Sequence, residues 1–397
     1  MMSGIRTFGS TPSGAPIRDH LPSYLQTDMD LAFRGQPDFY FQDEISPGTD
    51  EVFMQSALRL AEKGLGAVAP NPPVGCVLVR DGQIISSGYH RRFGGAHAEV
   101  WAVESSPVEL TGSTVYVTLE PCSITSKTPP CTDLLIKSGI RKVVIGVKDP
   151  NPNVNGNGIA QLRQAGIEVQ TGMLEQQCSW LIRGFQKWIN TGTPWVIAKI
   201  AQSSDGFIAP ENARRFRITG TSAHQQVHQL RASVDGILVG SGTVKIDDPQ
   251  LTTRLVEGPD PCRFIVDRKC ELPQSLQVFR DGASPTVRLC GSSFAEEQRN
   301  SFGSIINVAE MDNKLDLQSA LKQIGKIGIT TLLVEGGAQL LGSFQEQNLI
   351  DEIHLYSAPI KLGNGALANP LVLDSSWDIL GQRVLGQDIL TIAQKKA

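Results

Sequence analysis

The sequence contains no apolar run long enough for a transmembrane helix, which needs about twenty residues. It also lacks a block of Lys and Arg, and its net charge of −4 comes from acidic and basic residues mixed along the chain. Nucleic acid and anionic membranes are therefore unfavourable partners. No basic stretch followed by an apolar one opens the chain, and Asp19, Asp28 and Asp30 come too early for an acid-poor transit peptide. We expect neither kind of targeting segment.

Cysteine is scarce, with seven in 397 residues. An odd, small number in a large chain argues against a disulfide framework and for a reducing compartment, so a cytoplasmic location is expected. Two of the cysteines belong to a candidate site described below. We expect the others to act as small buried hydrophobic residues; these are Cys76, Cys178, Cys262, Cys270 and Cys290.

The length of the chain and its 40% hydrophobic content predict two domains. Residues 1–48 are rich in Gly, Ser, Pro and Asp without periodicity, and we predict a flexible arm there. Asp50 is predicted to cap the first helix. Two β-rich runs flank Asp81-Gly82, which is typical of a hairpin. The apolar stripe of the first helix consists of Phe53, Met54, Ala57, Leu58 and Ala61.

Helices and strands then alternate, which is typical of an α/β fold. We predict helices over about 96–105 and 131–138, each followed by a strand, TVYVTL and KVVIGV. The tetrapeptide TGTP at 191–194 indicates a linker. A second α/β block follows, with a helix over 222–233 and the strand TTLLVEGG before a further helix. The predicted domains therefore cover residues 49–190 and 194–397.

Three candidate metal ligands and an acid lie in the first block. His97 precedes a predicted helix, and Cys122 and Cys131 flank eight residues that include a Pro-Pro pair. One imidazole and two thiolates suit catalytic zinc, which leaves a fourth position to water and makes hydroxide available near neutral pH. Glu99 is placed to take the proton of the water and pass it to a leaving amine. The order His-x-Glu, Pro-Cys, Cys is typical of zinc deaminases of nucleobases.

Two other classes of function are compatible with parts of this pattern. A structural zinc site would show four Cys or His ligands, and no fourth is found nearby in the sequence. A catalytically silent zinc scaffold would have no use for Glu99. A nucleic-acid deaminase would leave the second block unexplained and would need a basic channel.

The first block resembles the deaminase half of the bifunctional riboflavin biosynthesis deaminase/reductase family. The resemblance is carried by APNPPVGCVLVRDGQIISSGYH, GAHAEV, TLEPCSITSKTPPCTDLLIKSGI and DPNP. It implies a cytidine-deaminase-like three-layer α/β domain in which His97, Cys122 and Cys131 bind one Zn²⁺ per chain and Glu99 is the proton shuttle. It also places Asn71 in the substrate pocket.

The second block resembles the reductase half of the same family, which has a dihydrofolate-reductase-like fold. The matching segments are KIAQSSDGFIA, RITG, VHQLRASVDGILVGSGTVKIDDPQLTTR and LLVEGGAQLLGSFQEQNLIDEIHLYSAPIKLGNG. Independently of the family, the Gly pair between strand and helix lets backbone approach a pyrophosphate, although it is not the Rossmann pattern. Arg231 and Arg254 suit a sugar phosphate, because guanidinium pairs with phosphate oxygens.

The resemblance implies two sets of reductase residues. Those near NADPH are Ala201, Thr243, Asp247, Gly337, Ala338, Gln339, Leu340, Leu341, Gly342 and Ser343. Those near the ribose or ribitol phosphate are Arg231, Leu251, Arg254 and Glu335. Lys199 and Asp205 lie near the same site without an assigned role.

This chain departs from the family pattern at several positions. Ser-Ile-Thr-Ser at 123–126 replaces the usual Ser-His-His-Gly, and Ala69 stands where relatives often have His. In the reductase half, Ser204 and Phe207 alter the SLDGR motif, and Arg217 replaces a Trp. The added arginine either holds the 2′-phosphate of NADPH or marks a changed reductase.

The expected function is riboflavin biosynthesis: zinc-dependent deamination of 2,5-diamino-6-ribosylamino-4(3H)-pyrimidinone 5′-phosphate, then NADPH-dependent reduction of ribosyl to ribityl. The alternative is a deaminase with a lapsed reductase half that serves a related pyrimidine pathway. The expected partner is the small phosphorylated substrate, without nucleic acid or membrane, and the family implies a homo-oligomer.

Overall fold

The computed structural model describes residues 49–124, 129–211, 216–294 and 304–396. The predicted arm at 1–48 and the variant positions Thr125 and Ser126 lie outside these ranges. No helix in the described ranges has the length and apolar character that crossing a membrane requires. The first part of the chain forms, in order, α1 (Asp50–Glu62), β1 (Gly75–Arg80), β2 (Gln83–Tyr89), α2 (Ala98–Glu104), β3 (Thr114–Leu119), α3 (Cys131–Lys137), β4 (Lys142–Val147), α4 (Asn157–Gln164), β5 (Glu168–Thr171), α5 (Glu175–Leu181) and α6 (Arg183–Thr191).

The first five strands form one sheet in the order β2-β1-β3-β4-β5, between two layers of helices. Strands β3, β4 and β5 are parallel, and β1 is antiparallel to both of its neighbours. Helices α2, α3 and α4 bury apolar side chains on one face, and α1 and α5 do so on the other. The predicted three-layer α/β arrangement is therefore confirmed.

The local predictions in this sheet are largely confirmed. Asp81 and Gly82 both have positive φ, 51° and 73°, as a two-residue hairpin requires. The predicted apolar stripe of α1 is buried. The prediction for Asp50 is wrong, because Thr49 occupies the cap position and Asp50 is the first helical residue. The Asp50 carboxylate instead accepts a hydrogen bond from the Tyr116 hydroxyl at 2.5 Å.

The second sheet has nine strands in the order β11-β10-β9-β8-β14-β6-β15-β18-β17. The strands from β11 to β15 are parallel, and β18 is antiparallel to β15 and β17. The elements of this part are β6 (Trp195–Ser203), β7 (Phe207–Ala209), α7 (Thr221–Ser233), β8 (Gly236–Gly240), α8 (Ser241–Asp247), β9 (Cys262–Val266), α9 (Gln277–Arg280), β10 (Thr286–Gly291), β11 (Ser304–Val308), β12 (Glu310–Met311), β13 (Lys314–Leu315), α10 (Leu317–Lys326), β14 (Thr331–Glu335), α11 (Ala338–Glu346), β15 (Glu352–Ala358), β16 (Leu367–Ala368), β17 (Trp377–Leu385) and β18 (Asp388–Lys395).

Parallel strands bring the turns that follow β6, β8, β9 and β14 to one edge of the second sheet. Ligands of open α/β sheets bind outside the carboxyl ends of the strands. The Gly pair follows β14, and the GSGT segment follows β8, the neighbour of β14. The topology therefore places the predicted cofactor residues of both segments at the same edge.

One prediction about cysteine is wrong. Cys270 and Cys290 form a disulfide, with Cα atoms 5.7 Å apart. Cys290 lies in β10, and the turn after the adjacent strand β9 brings Cys270 beside it. The number of cysteines carries no information about this pairing, because it depends on which strands are neighbours. Cys76 and Cys178 are fully buried and unbridged, as predicted.

Helix α6 is joined to the second sheet by a buried ion pair. Arg183 Nε donates to Glu352 Oε2 at 2.9 Å, Trp195 Nε1 donates to the same oxygen at 2.9 Å, and His354 Nε2 lies 2.7 Å from Glu352 Oε1. Burial by itself raises the pKa of Glu352, but the Arg183 charge and these hydrogen bonds outweigh it and hold the pKa at about 2. The Glu352 carboxylate is therefore charged and fully enclosed.

Replacing Arg183 with Met is expected to destabilise the protein by about 3 kcal/mol, because a buried carboxylate then loses its cation. The free energy of unfolding in urea, followed by tryptophan fluorescence, measures the effect. Arg59→Met is the control, since Arg59 is an exposed arginine of α1, and its cost should stay within about 0.5 kcal/mol. Equal costs for the two variants would show that the pair contributes nothing particular.

Candidate active sites

The three predicted metal ligands lie together at the edge of the first sheet. His97 is the residue before α2, Cys131 begins α3, and Cys122 lies in the loop after β3. His97 Nδ1 is 3.6 Å from Cys122 Sγ and 3.3 Å from Cys131 Sγ. The three ligand atoms all lie within 4.8 Å of one another. Among the described residues, this is the single cluster of its kind.

The donor set fits zinc in spacing and in the type of its ligand atoms. Tetrahedral zinc with ordinary Zn–S and Zn–N bonds separates one nitrogen and two sulfur ligands by about 3.5–3.8 Å, close to the distances found here. Hydrogen bonds from Cys131 and His97 lower the pKa of Cys122 to about 4, so its sulfur is a thiolate, the form that binds metal. The hydrogen bond to Cys122 raises the pKa of His97 to about 9. Zinc binding would displace the proton from this imidazole, because metal binds neutral His and deprotonated Cys.

Glu99 is a buried carboxyl group beside this cluster. It lies in the first turn of α2, and its exposed fraction is 3%. Burial, and next the Cys122 thiolate, raise the pKa of Glu99 to about 7, and the Cys131 thiol is within hydrogen-bonding reach of the carboxylate. A carboxyl group that titrates near neutral pH can both take and return a proton.

Asn71 is held by a histidine that the sequence analysis did not identify. Asn71 Nδ2 lies 3.1 Å from His90 Nε2, and His90 Nδ1 lies 2.9 Å from the Ala96 carbonyl oxygen. These contacts fix the imidazole with its proton on Nδ1 and with Nε2 accepting from the amide. The His90 ring is 5.5 Å from the His97 ring. The sequence signal that could have identified His90 is its position in the SGYH segment, at the end of the predicted hairpin.

Glu120 is a second residue that the sequence analysis missed. Its two oxygens accept backbone N–H groups of Asp149, Gly156, Gly158 and Ile159 at 3.0–3.3 Å. These bonds tie the DPNP segment to the loop that carries Cys122. The Glu-Pro-Cys sequence was a signal, because an acid so close to a metal ligand needs partners of its own.

The reductase candidates centre on a buried ion pair between α7 and β14. Arg231 Nε and Nη2 donate to the two oxygens of Glu335 at 2.7 and 2.9 Å. Burial would raise the pKa of Glu335, but the Arg231 charge outweighs it and holds the pKa at about 2. Lys199 lies in register with Glu335 on the adjacent strand, and burial lowers its pKa. The two guanidinium donors of Arg231 that could bind a phosphate in bidentate fashion are thus already bound to a carboxylate.

The segment that carries Leu251 and Arg254 lies against the same helix. Arg231 Nη1 donates to the Thr252 carbonyl oxygen at 3.2 Å. Arg254 Nη1 donates to Thr252 Oγ1 at 3.0 Å. Leu251 has a φ of 57°, which is uncommon for a bulky residue, and its side chain is buried. The structure therefore brings the four predicted substrate residues of the reductase together.

The Gly pair meets the first turn of α8. Gly336 and Gly337 have φ of 74° and 78°, and a Cβ on Gly337 would lie 3.3 Å from Thr243 Oγ1. Thr243 and Asp247 are four residues apart in α8 and so share one side of it. This arrangement leaves backbone accessible beside Thr243, as a bound pyrophosphate requires.

Helix α11 begins directly after the Gly pair and contains the remaining predicted cofactor residues. Leu341 is 1% exposed and packs in the core of the second sheet, so its side chain is not free to meet a cofactor. Gln339 is exposed. Contact with a nucleotide here would come from backbone and from the first turn of the helix. Ala338, Leu340, Gly342 and Ser343 lie in the same helix.

Two further predicted residues, Ala201 and Asp205, lie in different surroundings. Ala201 lies in β6 and packs partly against Tyr356, on the same side of the sheet as Lys199. Asp205 instead holds a distant turn, because its carboxylate accepts the N–H groups of Leu362 and Gly363. Ser204 bonds to Ile360 in the same region. Asp205 and the variant Ser204 thus have a structural explanation.

Arg217 is exposed and lies just before α7. Burial, and then the Arg217 charge, lower the pKa of His224 in that helix. The variant arginine therefore lies near His224, in the first turn of α7.

Two family models match separate parts of the chain. Residues 47–147 match the family model of the cytidine and deoxycytidylate deaminase zinc-binding region, and residues 194–391 match that of the RibD C-terminal domain. The riboflavin biosynthesis protein RibD of Bacillus amyloliquefaciens is 43% identical over 81% of this chain and 88% of its own length. That of Escherichia coli strain K12 is 38% identical over 80% and 89%.

Solved structures give the same result. A diaminohydroxyphosphoribosylaminopyrimidine deaminase/5-amino-6-(5-phosphoribosylamino)uracil reductase from Thermotoga maritima superposes with a TM-score of 0.78 at 35% identity, and it covers 87% of this chain and 98% of that one. RibD of Acinetobacter baumannii also gives 0.78 at 35% identity, with 88% and 99% covered.

Fold and sites together define a zinc-dependent deaminase joined to a dihydrofolate-reductase-like reductase. The chain belongs to the RibD family of riboflavin biosynthesis enzymes. It is a bifunctional deaminase and reductase with zinc and NADPH as cofactors.

Proposed function

We propose that the deaminase half acts on 2,5-diamino-6-ribosylamino-4(3H)-pyrimidinone 5′-phosphate. The observation that carries this is the buried Glu99 beside the His97, Cys122 and Cys131 cluster. These three residues would hold zinc, which supplies Lewis acidity and an activated water when bound. The Glu99 carboxylate takes a proton from the water as the new C–O bond forms, and returns it to the amine as the C–N bond breaks and ammonia leaves.

Asn71 is proposed to bind the pyrimidine in this half. Its side-chain nitrogen is already engaged by His90 at 3.1 Å, so its oxygen is the atom offered to the donors of the ring. The contact between the His90 and His97 rings places this amide near the metal ligands. The role of His90 is to orient Asn71.

The reductase half is proposed to reduce the ribosyl group of the deaminated product to ribityl. NADPH supplies the hydride when bound. Thr243, Asp247 and the turn at Gly337 would hold its pyrophosphate region, with Ala201 nearer the nicotinamide. This arrangement is supported by the exposed backbone of Gly337, which lies beside Thr243. The residues Ala338, Gln339, Leu340, Leu341, Gly342 and Ser343 would contribute mainly through the start of α11.

The substrate phosphate in this half is assigned mainly to Arg254. Glu335 occupies Nε and Nη2 of Arg231, whereas Arg254 donates one guanidinium N–H to Thr252 and keeps the others for an anion. Arg231 then adds positive charge and holds Glu335, whose oxygens can also accept from sugar hydroxyls. Leu251 shapes the wall of this subsite.

The domain limits proposed are 49–190 for the deaminase and 194–397 for the reductase. The two sheets and the ranges of the two family models support this division. Helix α6 is the connecting element, because its Arg183 pairs with Glu352 of the second sheet.

We also propose that the protein works in the cytoplasm as a homo-oligomer, on a small molecule, without nucleic acid or membrane. Five of the seven cysteines are unbridged, and two of these are candidate metal ligands, which suits a reducing compartment; the Cys270–Cys290 disulfide is the exception. Edge strand β17 exposes 53% of Ile379 and 73% of Val384, which favours a partner chain there. The net charge of −4 does not favour binding to polyanions.

A coupled assay tests both activities on the full chain. Purified protein receives the pyrimidinone phosphate, and ammonia and NADPH are followed together. We expect ammonia release followed by NADPH loss. Dipicolinate, a zinc chelator, should reduce ammonia release by more than about tenfold while NADPH loss on deaminated substrate continues. Ammonia release without NADPH loss would exclude the proposed reductase step, and NADPH loss without ammonia release would exclude the proposed deamination.

A further inference from the structure

The segment 251–254 of the reductase site has a strained backbone. Leu251 adopts a φ of 57°, and its side chain is 3% exposed. A non-glycine residue in this conformation persists when the surrounding contacts over-determine it. The contacts that hold this segment therefore also set the position of the Arg254 backbone, from which its side chain extends.

Three side chains fix the backbone of this segment. Arg231 donates to the Thr252 carbonyl oxygen at 3.2 Å. Thr253 N–H donates to Asp260 Oδ1 at 2.5 Å. Arg254 N–H donates to Nδ1 of His228 at 2.9 Å. His228 and Arg231 are three residues apart on α7, so one face of this helix holds two points of the segment.

The protonation of His228 is set by this last contact. Nδ1 accepts, so a neutral ring carries its proton on Nε2. Burial, and then the charges of Arg231 and Arg254, lower the pKa of His228 to about 4. The imidazole is therefore an acceptor throughout the neutral range. The groups that face it are Arg231, Arg254, His224 and Glu335.

The other ring nitrogen points to a positioning role. His228 is fully buried, and its Nε2 has no hydrogen-bond partner among the described residues. A core histidine with a purely packing role would satisfy both nitrogens or be replaced by an apolar residue, because an unpaired buried N–H is costly. The contact to Arg254 is the feature that offsets this cost.

We propose that His228 is a positioning residue of the reductase, which fixes the Arg254 backbone so that the guanidinium meets the substrate phosphate. This inference rests on the proposed role of Arg254. Because His228 is enclosed, it acts through Arg254 and does not touch the substrate. Loss of the acceptor frees the Arg254 N–H and the strained segment, which weakens substrate binding more than it slows hydride transfer.

Two substitutions separate this role from simple packing. His228→Leu keeps the volume and removes the acceptor, whereas His228→Asn returns an oxygen near the position of Nδ1. We expect His228→Leu to raise the reductase KM for the deaminated substrate by about fivefold to tenfold, with kcat within about twofold of wild type. His228→Asn should bring KM back to within about twofold of wild type. Gln225→Leu, on the exposed side of α7, is the matched control.

Ammonia release by the same chain reports on folding, and calorimetric titration with ribose 5-phosphate reports on phosphate binding without turnover. An unchanged KM in His228→Leu would overturn the inference while the proposed function stands. The inference would also be overturned if His228→Leu lowered kcat and ammonia release by as large a factor as it raised KM, and if His228→Asn did not restore them. If the wild-type protein oxidises no NADPH, the proposed function fails, and the ribose 5-phosphate titration then tests the inference on its own. Weaker binding of ribose 5-phosphate by His228→Leu than by wild type supports the inference. Equal binding by the two proteins, or no binding by wild type, overturns it.

Discussion

Replacing Glu99 with Gln is expected to reduce ammonia release by about 10³-fold while zinc stays bound. The amide keeps the shape of the side chain but cannot take the proton of the water. Glu99 is buried beside the metal ligands, so a carboxylate from the buffer cannot reach the site and replace it. The measurement is ammonia production by the purified variant, with zinc content determined by elemental analysis.

Two controls accompany the Glu99 variant. Glu104→Gln changes an exposed acid of the same helix and should leave ammonia release unchanged. NADPH loss on deaminated substrate should be normal in both variants. If Glu99→Gln retained full ammonia release, the proton shuttle would have to be another group; if it lost zinc, the defect would be one of metal binding.

Replacing Arg231 with Met is expected to abolish NADPH loss and to destabilise the protein by about 3–5 kcal/mol. The reason is that Glu335 then remains as a buried carboxylate without its bidentate partner. The Thr252 carbonyl oxygen also loses a donor, so the segment that carries Arg254 is released. Urea unfolding and the NADPH assay measure the two effects separately.

The double variant Arg231→Met/Glu335→Gln distinguishes the charge from the packing. Removing both charges should recover more than half of the lost stability, because Glu335 no longer remains as a buried carboxylate without its cation. NADPH loss should stay absent, since neither the Arg231 guanidinium nor the Glu335 carboxylate is present. If the double variant were as unstable as Arg231→Met, the lost stability would come from packing of the long side chain.

The buried contacts of the second sheet explain why its site is harder to read from sequence than the zinc site. The predicted pair of phosphate arginines comprises one that is largely occupied by Glu335 and one that keeps free donors. Both are single arginines in the sequence, and nothing local distinguishes them. Their difference depends on a glutamate 104 residues away from Arg231.

The sequence by itself determined the features that depend on short-range chemistry. The Asp81-Gly82 dipeptide specified its hairpin because both residues tolerate positive φ. The zinc site was predictable because its motifs lie at one helix start, which carries His97 and Glu99, and after one strand end, which carries Cys122. The family resemblance supplied the order of the two domains. In contrast, the prediction that Asp50 is the helix cap was wrong, because a distant tyrosine and lysine engage its carboxylate.

Only the tertiary structure decided the contacts between segments that are remote in the chain. Cys270 pairs with Cys290 because two strands are neighbours, and His228 meets the backbone of Arg254 across 26 residues. Glu352 is charged and fully buried because Arg183, 169 residues earlier, reaches it. Each of these depends on sheet order and helix placement, and burial changes the energy of a charge or a hydrogen bond only once the chain has folded.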